Sequence, residues 1–236
     1  MNQELIIFFI ISLTSIIQSL FGVGVLVFGT PLLLILKLNF IETLNVLLPI
    51  SIAINFFQLS RNTTSIDKNL SKLLFIIVLP LISITLYLGV EIIKIDLKLA
   101  VGCFLILIVF LNLLRIDLLS FINEKIYLSL MAIIHGLTNL GGALLVGIIS
   151  SKKFDKIKTR TNISFFYFSF AFIQLITLWL SDLLILRLEN LLYILVGSTL
   201  FLFTEKFIFI KIDESLFAKL TNVLLLILGG LLILNT

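Results

Sequence analysis

The chain has 236 residues, of which 60% are hydrophobic and only 13% charged, with a mean hydropathy of +1.26. A soluble domain keeps roughly a quarter of its residues charged, so most of this surface faces something other than water, and lipid is the medium that fits. The formal net charge of +4 sits in short clusters between apolar runs, where the positive-inside rule places basic residues; it reads as a topology signal and not as a nucleic-acid surface.

In chain order, the apolar segments run over 4–21, 25–36, 40–60, 70–93, 97–114, 124–138, 140–151, 157–180, 188–204 and 215–234. The stretch Met1 to Glu4 lacks the basic region of a cleaved signal, so the first segment is expected to stay in the mature chain. Crossing a bilayer takes about 20 apolar residues, and the segments at 40–60, 70–93, 97–114, 157–180, 188–204 and 215–234 have the length to do so alone. The remaining segments form two adjacent pairs, one interrupted at Gly22 and Gly24 and the other at Gly141 and Gly142. Cys103 is the only cysteine, which rules out an internal disulfide and a cysteine metal cluster; in its apolar run it reads as a small buried side chain.

The two interruptions occupy corresponding places. Setting Gln18 against His135 puts Leu20 on Leu137 and Gly24 on Gly141; after a one-residue gap, Thr43 meets Thr159, Gln58 meets Gln174 and Leu59 meets Leu175. Each half contains a broken apolar pair, a polar or basic turn, and three long spans. The expected fold is therefore an all-α integral membrane protein of two homologous repeats, 1–120 and 121–236, with the boundary near Ser120. Together they form one transmembrane domain of about eight spans.

Two topologies follow from the breaks. Each broken pair can form one long kinked crossing, or it can turn back toward the side it entered. The second arrangement puts more of the 17 basic residues inside and inverts one half relative to the other. The basic count leans that way, and both arrangements stay open. The cluster Lys152, Lys153, Lys156, Lys158 and Arg160 is cytoplasmic in either.

A helix broken inside lipid exposes backbone groups that have no water to bond, so breaks persist only beside protein or a wet cavity. At Gly22 to Gly24, and at Asn139 to Gly142, the freed N–H groups and the positive end of a following half-helix can face a small oxyanion. Glycines also serve close helix packing, and that structural role stands beside the binding one. Thr30 lies near the first break, and Thr138, Asn139 and His135 near the second. Asn55 and Gln58 share a helix face at i, i+3 spacing, and Gln174 is the mate of Gln58; the two glutamines can pair across a central cavity. His135 is the only histidine, and its usual titration range suits proton coupling. The acids Glu42, Glu91, Asp96, Asp182 and Glu205 fall at segment ends, which argues against a carboxylate-based antiporter and an intramembrane protease. No His, Cys and acid set has metal-ligand spacing, so no metal or other cofactor and no enzyme chemistry are expected.

The run "GVGVLVFGTPLLLIL" from Gly22, followed by "ETLNVLLPISIAINFFQL", resembles the first repeat of the sulfite exporter TauE/SafE family. The run "HGLTNLGGALLVGIISSKKFDKIKTRTNISFFYFSFAFIQL" from His135 resembles its second repeat. Gly22, Gly24, Pro31, Gly141 and Gly142 fit the family pattern, whereas Val25 and Leu26 stand where further glycines are usual. The resemblance implies transport of sulfite, a sulfonate or a related small organic anion. Together these readings give a secondary carrier in the plasma (inner) membrane of a prokaryote, whose partners are the bilayer and a small anionic substrate, with no nucleic acid. The candidate substrate-binding residues are Gly22, Gly24, Thr30, Asn55, Gln58, Thr138, Asn139, Gly141, Gly142 and Gln174. No Walker motif is present, so ATP hydrolysis would need a separate subunit. The alternative is a non-transporting membrane scaffold that assembles an enzyme complex.

Overall fold

The computed structural model describes residues 3–60, 65–92, 97–114, 116, 119, 121–208 and 214–234, which are helices and short connections without a strand among the described residues. The boundary expected near Ser120 and the carboxylate of Asp96 lie outside them. The helices are α1 (Gln3–Phe21), α2 (Val25–Ile35), α3 (Phe40–Leu59), α4 (Lys68–Leu73), α5 (Leu79–Tyr87), α6 (Leu97–Leu113), α7 (Glu124–Thr138), α8 (Gly142–Ser151), α9 (Lys156–Leu180), α10 (Leu188–Ile208) and α11 (Glu214–Leu234). Leu74–Val78, between α4 and α5, is a π turn, and a second π turn at Leu88–Ile92 follows α5. Pro80 explains the first: it has no N–H to give and its ring crowds the preceding turn, so the ladder widens just ahead of it.

Among the described residues five helical segments are long and apolar enough to cross a membrane: Gln3–Leu20, Phe40–Leu59, Lys68–Glu91, Lys156–Leu180 and Leu188–Lys206; Leu97–Leu113, expected to cross alone, is shorter. The first differs from expectation, because α1 has crossing length although it belongs to a broken pair. Large apolar side chains such as Phe9, Ile76, Phe110 and Leu195 point outward, as lipid contact requires. Cys103 is also exposed, contrary to the buried position read from its apolar run. The inward face of α6 is set by its neighbour Gly102, which packs on the backbone of α11 at Gly229.

Both broken pairs are hairpins and not kinked single helices. A Cβ on Gly24 would lie 2.6 Å from Thr14 O and 2.5 Å from Gln18 N, so the chain has turned back along α1. Gly141 stands in the same relation to Met131 O, 2.6 Å, and to the Cβ of His135, 2.6 Å, at the same two offsets along the chain. The turns match in detail. Gly22 (φ 75°) and Asn139 (φ 61°) end α1 and α7 in the left-handed region, with N–H bonds to Gln18 O (2.8 Å) and His135 O (2.7 Å). Lys37 (φ 67°) and Lys153 (φ 51°) do the same after α2 and α8.

The central helices α3 and α9 pack antiparallel. At one end Asn45 of α3 donates to Leu183 O (3.0 Å) and accepts from Ile185 N (2.8 Å), beyond the end of α9. At the other end Asn162 of α9 accepts from Asp67 N (2.8 Å) and donates to Ser65 O (3.1 Å), beyond the end of α3. Pro49 of α3 cannot donate to the carbonyl one turn before it, and that carbonyl, Asn45 O, accepts from Asn190 Nδ2 of α10 at 3.0 Å. Asp67 caps α4 and pairs with Lys158 at 3.3 Å. Burial pushes its carboxyl upward, but the N–H groups of Leu70 and Asn69 together with Lys158 hold it below its ordinary range. The surrounding contacts are reciprocal: α1 packs on α10 and α7 on α5, α10 on α3 and α5 on α9, while α6 and α11 pair with each other.

Candidate functional site

Each hairpin places its break against a central helix. In the first, Gln18 Oε1 accepts from Val25 N, the first N–H of α2, at 2.9 Å. Its Nε2 donates to Asn55 Oδ1 of α3 at 3.4 Å, and Asn55 Nδ2 donates to Ser51 O at 2.7 Å. Of the N–H groups that the first break frees, and that the sequence offers to an anion, one is held by a neutral amide. Gln58, one turn beyond Asn55, is buried, and neither its Oε1 nor its Nε2 has a hydrogen-bond partner.

In the second hairpin, His135 Nε2 lies 3.2 Å from Gln174 Oε1 of α9, and the imidazole packs 4.5 Å from the Phe170 ring. Gln174 thus bonds the histidine, not Gln58 as the repeat pairing had allowed. Gly142 opens α8 directly beneath the Tyr167 phenol, and a Cβ there would overlap the ring, with Cε1 at 2.9 Å. The Tyr167 hydroxyl, Gln174 Nε2, His135 Nδ1 and Asn139 Oδ1 are all buried without a partner. Thr138 donates its hydroxyl to Ile134 O (2.7 Å) and accepts from Leu140 N (3.2 Å), both within the turn.

The hairpins overlap side by side. The turn of the second reaches the middle of α2, where Asn139 Nδ2 donates to Thr30 Oγ1 at 2.9 Å. The residues named from sequence therefore assemble as two polar shells around the breaks, joined by the Asn139–Thr30 bond. Gly22 lies at the edge, 3.9 Å from the Arg160 side chain by its would-be Cβ. Arg160 Nη2 donates to Ser19 O (3.0 Å) and pairs with Glu205 of α10 at 2.8 Å. Ser19 Oγ also accepts from Thr204 at 2.7 Å, so α9 and α10 clasp the tip of the first hairpin.

Sequence reasoning missed Ser51, Tyr167 and the Arg160–Glu205 pair as members of this region. Tyr167 was findable, since Tyr167, Phe170 and Gln174 share one helix face. Glu205 was not, because an acid near a segment end gives no sign of an intramolecular partner. The acids Glu42 and Asp182 do lie at helix ends, Glu42 in a capping box with Asn39. Among the described residues no group of His, Cys, Asp and Glu is placed to hold a metal ion.

No curated protein and no solved structure matches the chain. A family comparison does: the model of the sulfite exporter TauE/SafE family matches residues 7–232. With a helical body, five potential membrane spans and a match over nearly its full length, the chain belongs to the sulfite exporter TauE/SafE family, a family of membrane transporters and not of enzymes.

Proposed function

We propose that the chain moves a small anion, sulfite or a related sulfonate or organic acid, by secondary transport across the inner membrane of a prokaryote. The substrate is held between α3 and α9 where the two hairpin breaks overlap. In this reading residues 1–120 and 121–236 are related halves of opposite orientation. Support comes from the matched left-handed turns, the reciprocal helix contacts and the antiparallel α3–α9 and α6–α11 pairs. Inverted repeats with discontinuous helices at their interface are a recurring carrier design.

The observation that carries the proposal is the concentration of unpartnered polar groups at the breaks. Each buried polar group left unsatisfied costs about 1–3 kcal/mol, so Gln58, Gln174, Asn139, His135 and Tyr167 together are expensive as mere packing. A ligand that bonds them relieves the cost. A scaffold calls for a dry seam, and these buried amides, imidazole and phenol favour the carrier. The half-helix starts at Val25 and Gly142 add partial positive charge without a buried full charge. Because the groups are sealed from solvent, transport requires the hairpins to move relative to the central helices.

Gln58 gives the cleanest test. It makes no intramolecular hydrogen bond, so Gln58→Leu removes none and is expected to leave thermal stability in detergent unchanged or higher. In proteoliposomes the same variant should lower labelled-sulfite flux at least about tenfold, the effect of losing roughly 1.4 kcal/mol of substrate interaction. Undiminished flux would remove Gln58 from the site, and absence of counterflow by the unaltered protein with any small anion would return the scaffold reading.

A further inference from the structure

The groups at the breaks comprise acceptors as well as donors, and this constrains the protonation state of the cargo. The inference rests on the carrier reading above. His135 and Gln174 share one hydrogen bond through Nε2 and Oε1, leaving His135 Nδ1 and Gln174 Nε2 without partners. With the imidazole neutral, Nε2–H donates, so the pair presents one acceptor (Nδ1) and one donor (Nε2 of Gln174). Turning the amide over exchanges the two: Nδ1–H becomes the donor and Oε1 the acceptor. Either way the pair offers one of each. The Gln58 amide likewise has an unpartnered donor and an unpartnered acceptor whichever way it is turned. Asn139 adds Oδ1, and Tyr167 a hydroxyl that serves in both roles.

The charges around these groups are few. Neither α5 nor α8 carries a charged side chain. In α6, α7 and α9 the basic residues, Lys98, Lys125, and Lys156, Lys158 and Arg160, lie in the opening turns, as do the acids Glu42 of α3 and Glu124 of α7. The Arg160 guanidinium faces Glu205. A dianion in such a site would turn lone pairs toward the bare acceptors, none of which has a cation bonded to it among the described residues, and desolvating its second charge would go uncompensated. A monoanion that retains an O–H meets both needs, accepting from the amide and phenol donors and donating to His135 Nδ1, Gln58 Oε1 or Asn139 Oδ1.

We infer that the transported species is a hydrogen-bearing oxyanion of single charge, so that sulfite crosses as hydrogensulfite and not as the dianion. The test measures initial flux in proteoliposomes, corrected with protein-free liposomes, for sulfite across its second ionisation, which falls near neutral pH. Methanesulfonate serves as the comparison, with the same charge and similar size but no O–H. Sulfite flux at fixed total concentration should fall about tenfold per pH unit above that ionisation, methanesulfonate should run at least tenfold slower, and His135→Gln should leave the shape of the sulfite profile unchanged. Flux that follows the dianion, methanesulfonate as fast as hydrogensulfite, or a profile flattened by His135→Gln would each overturn the inference while leaving the carrier intact. No flux of either anion at any pH would overturn both.

Discussion

Replacing Gly142 by alanine should reduce sulfite flux by at least about tenfold, and a second change at Tyr167 should restore much of it. The Cβ of an alanine at Gly142 would overlap the hydroxyl end of the Tyr167 phenol, whose ring is buried and braced by Phe170 at 6.1 Å between centroids. Overpacking of a filled interior costs about 1–3 kcal/mol, and here the strain falls on the start of α8 and on a phenol at the proposed site. The other hairpin shows how space is shared. Val25 occupies the place equivalent to Gly142, and the residue of α3 matching Tyr167 is the small Ser51. A bulkier helix start thus goes with a smaller residue on the central helix in one half, and the reverse holds in the other. The double variant Gly142→Ala/Tyr167→Ser copies the first arrangement into the second hairpin. Flux in proteoliposomes, with size-exclusion profiles to confirm folding, gives the measurement; equal loss in the single and double variants would show that the phenol is not the obstacle.

Arg160→Met should destabilise the protein strongly. The side chains of Arg160 and Glu205 are 16% and 10% exposed, and their bond joins α9 to α10 across the first hairpin's tip. Removing the guanidinium takes an ion-pair partner from a mostly buried carboxylate and a donor from Ser19 O. Breaking a buried pair from one side costs about 3–5 kcal/mol, whereas replacing both partners with apolar residues of similar volume is often close to neutral. Arg160→Met should therefore lower the unfolding midpoint strongly, while Arg160→Met/Glu205→Met recovers most of the loss. A double-mutant cycle measures the coupling; additive losses would mean that the two residues act separately.

Much of this architecture is legible in the sequence because its devices are local. The paired breaks are marked by Gly22, Gly24, Gly141 and Gly142, and the antiparallel return of each hairpin needs Gly24 and Gly141 where the chain lies against its own preceding helix. The choice between hairpin and kink was not legible, because glycines permit both. It is decided by the contact of Gly24 with the backbone of Thr14 and Gln18, which a kinked single helix carrying the same glycines would not make. Side-chain pairing was harder still. Gln58 and Gln174 are mates by alignment, yet His135 stands nearer to Gln174, and Gln18 turns to the α2 backbone instead of to an anion. Cys103 shows the limit of reading burial from hydropathy: in a membrane protein the outward face is as apolar as the core.

In the proposed carrier the two hairpins enter from opposite faces of the membrane and overlap in its middle. Lys37 and Lys153 mark their far ends, and both are exposed. In a Cys103→Ala background, Lys37→Cys and Lys153→Cys should react with a membrane-impermeant maleimide from opposite sides of oriented vesicles. Lys153→Cys should be reached from the cytoplasmic face that carries the Lys152–Arg160 cluster. Labelling of both positions from the same side would contradict the account, since that is the outcome of two kinked crossings in repeats of like orientation.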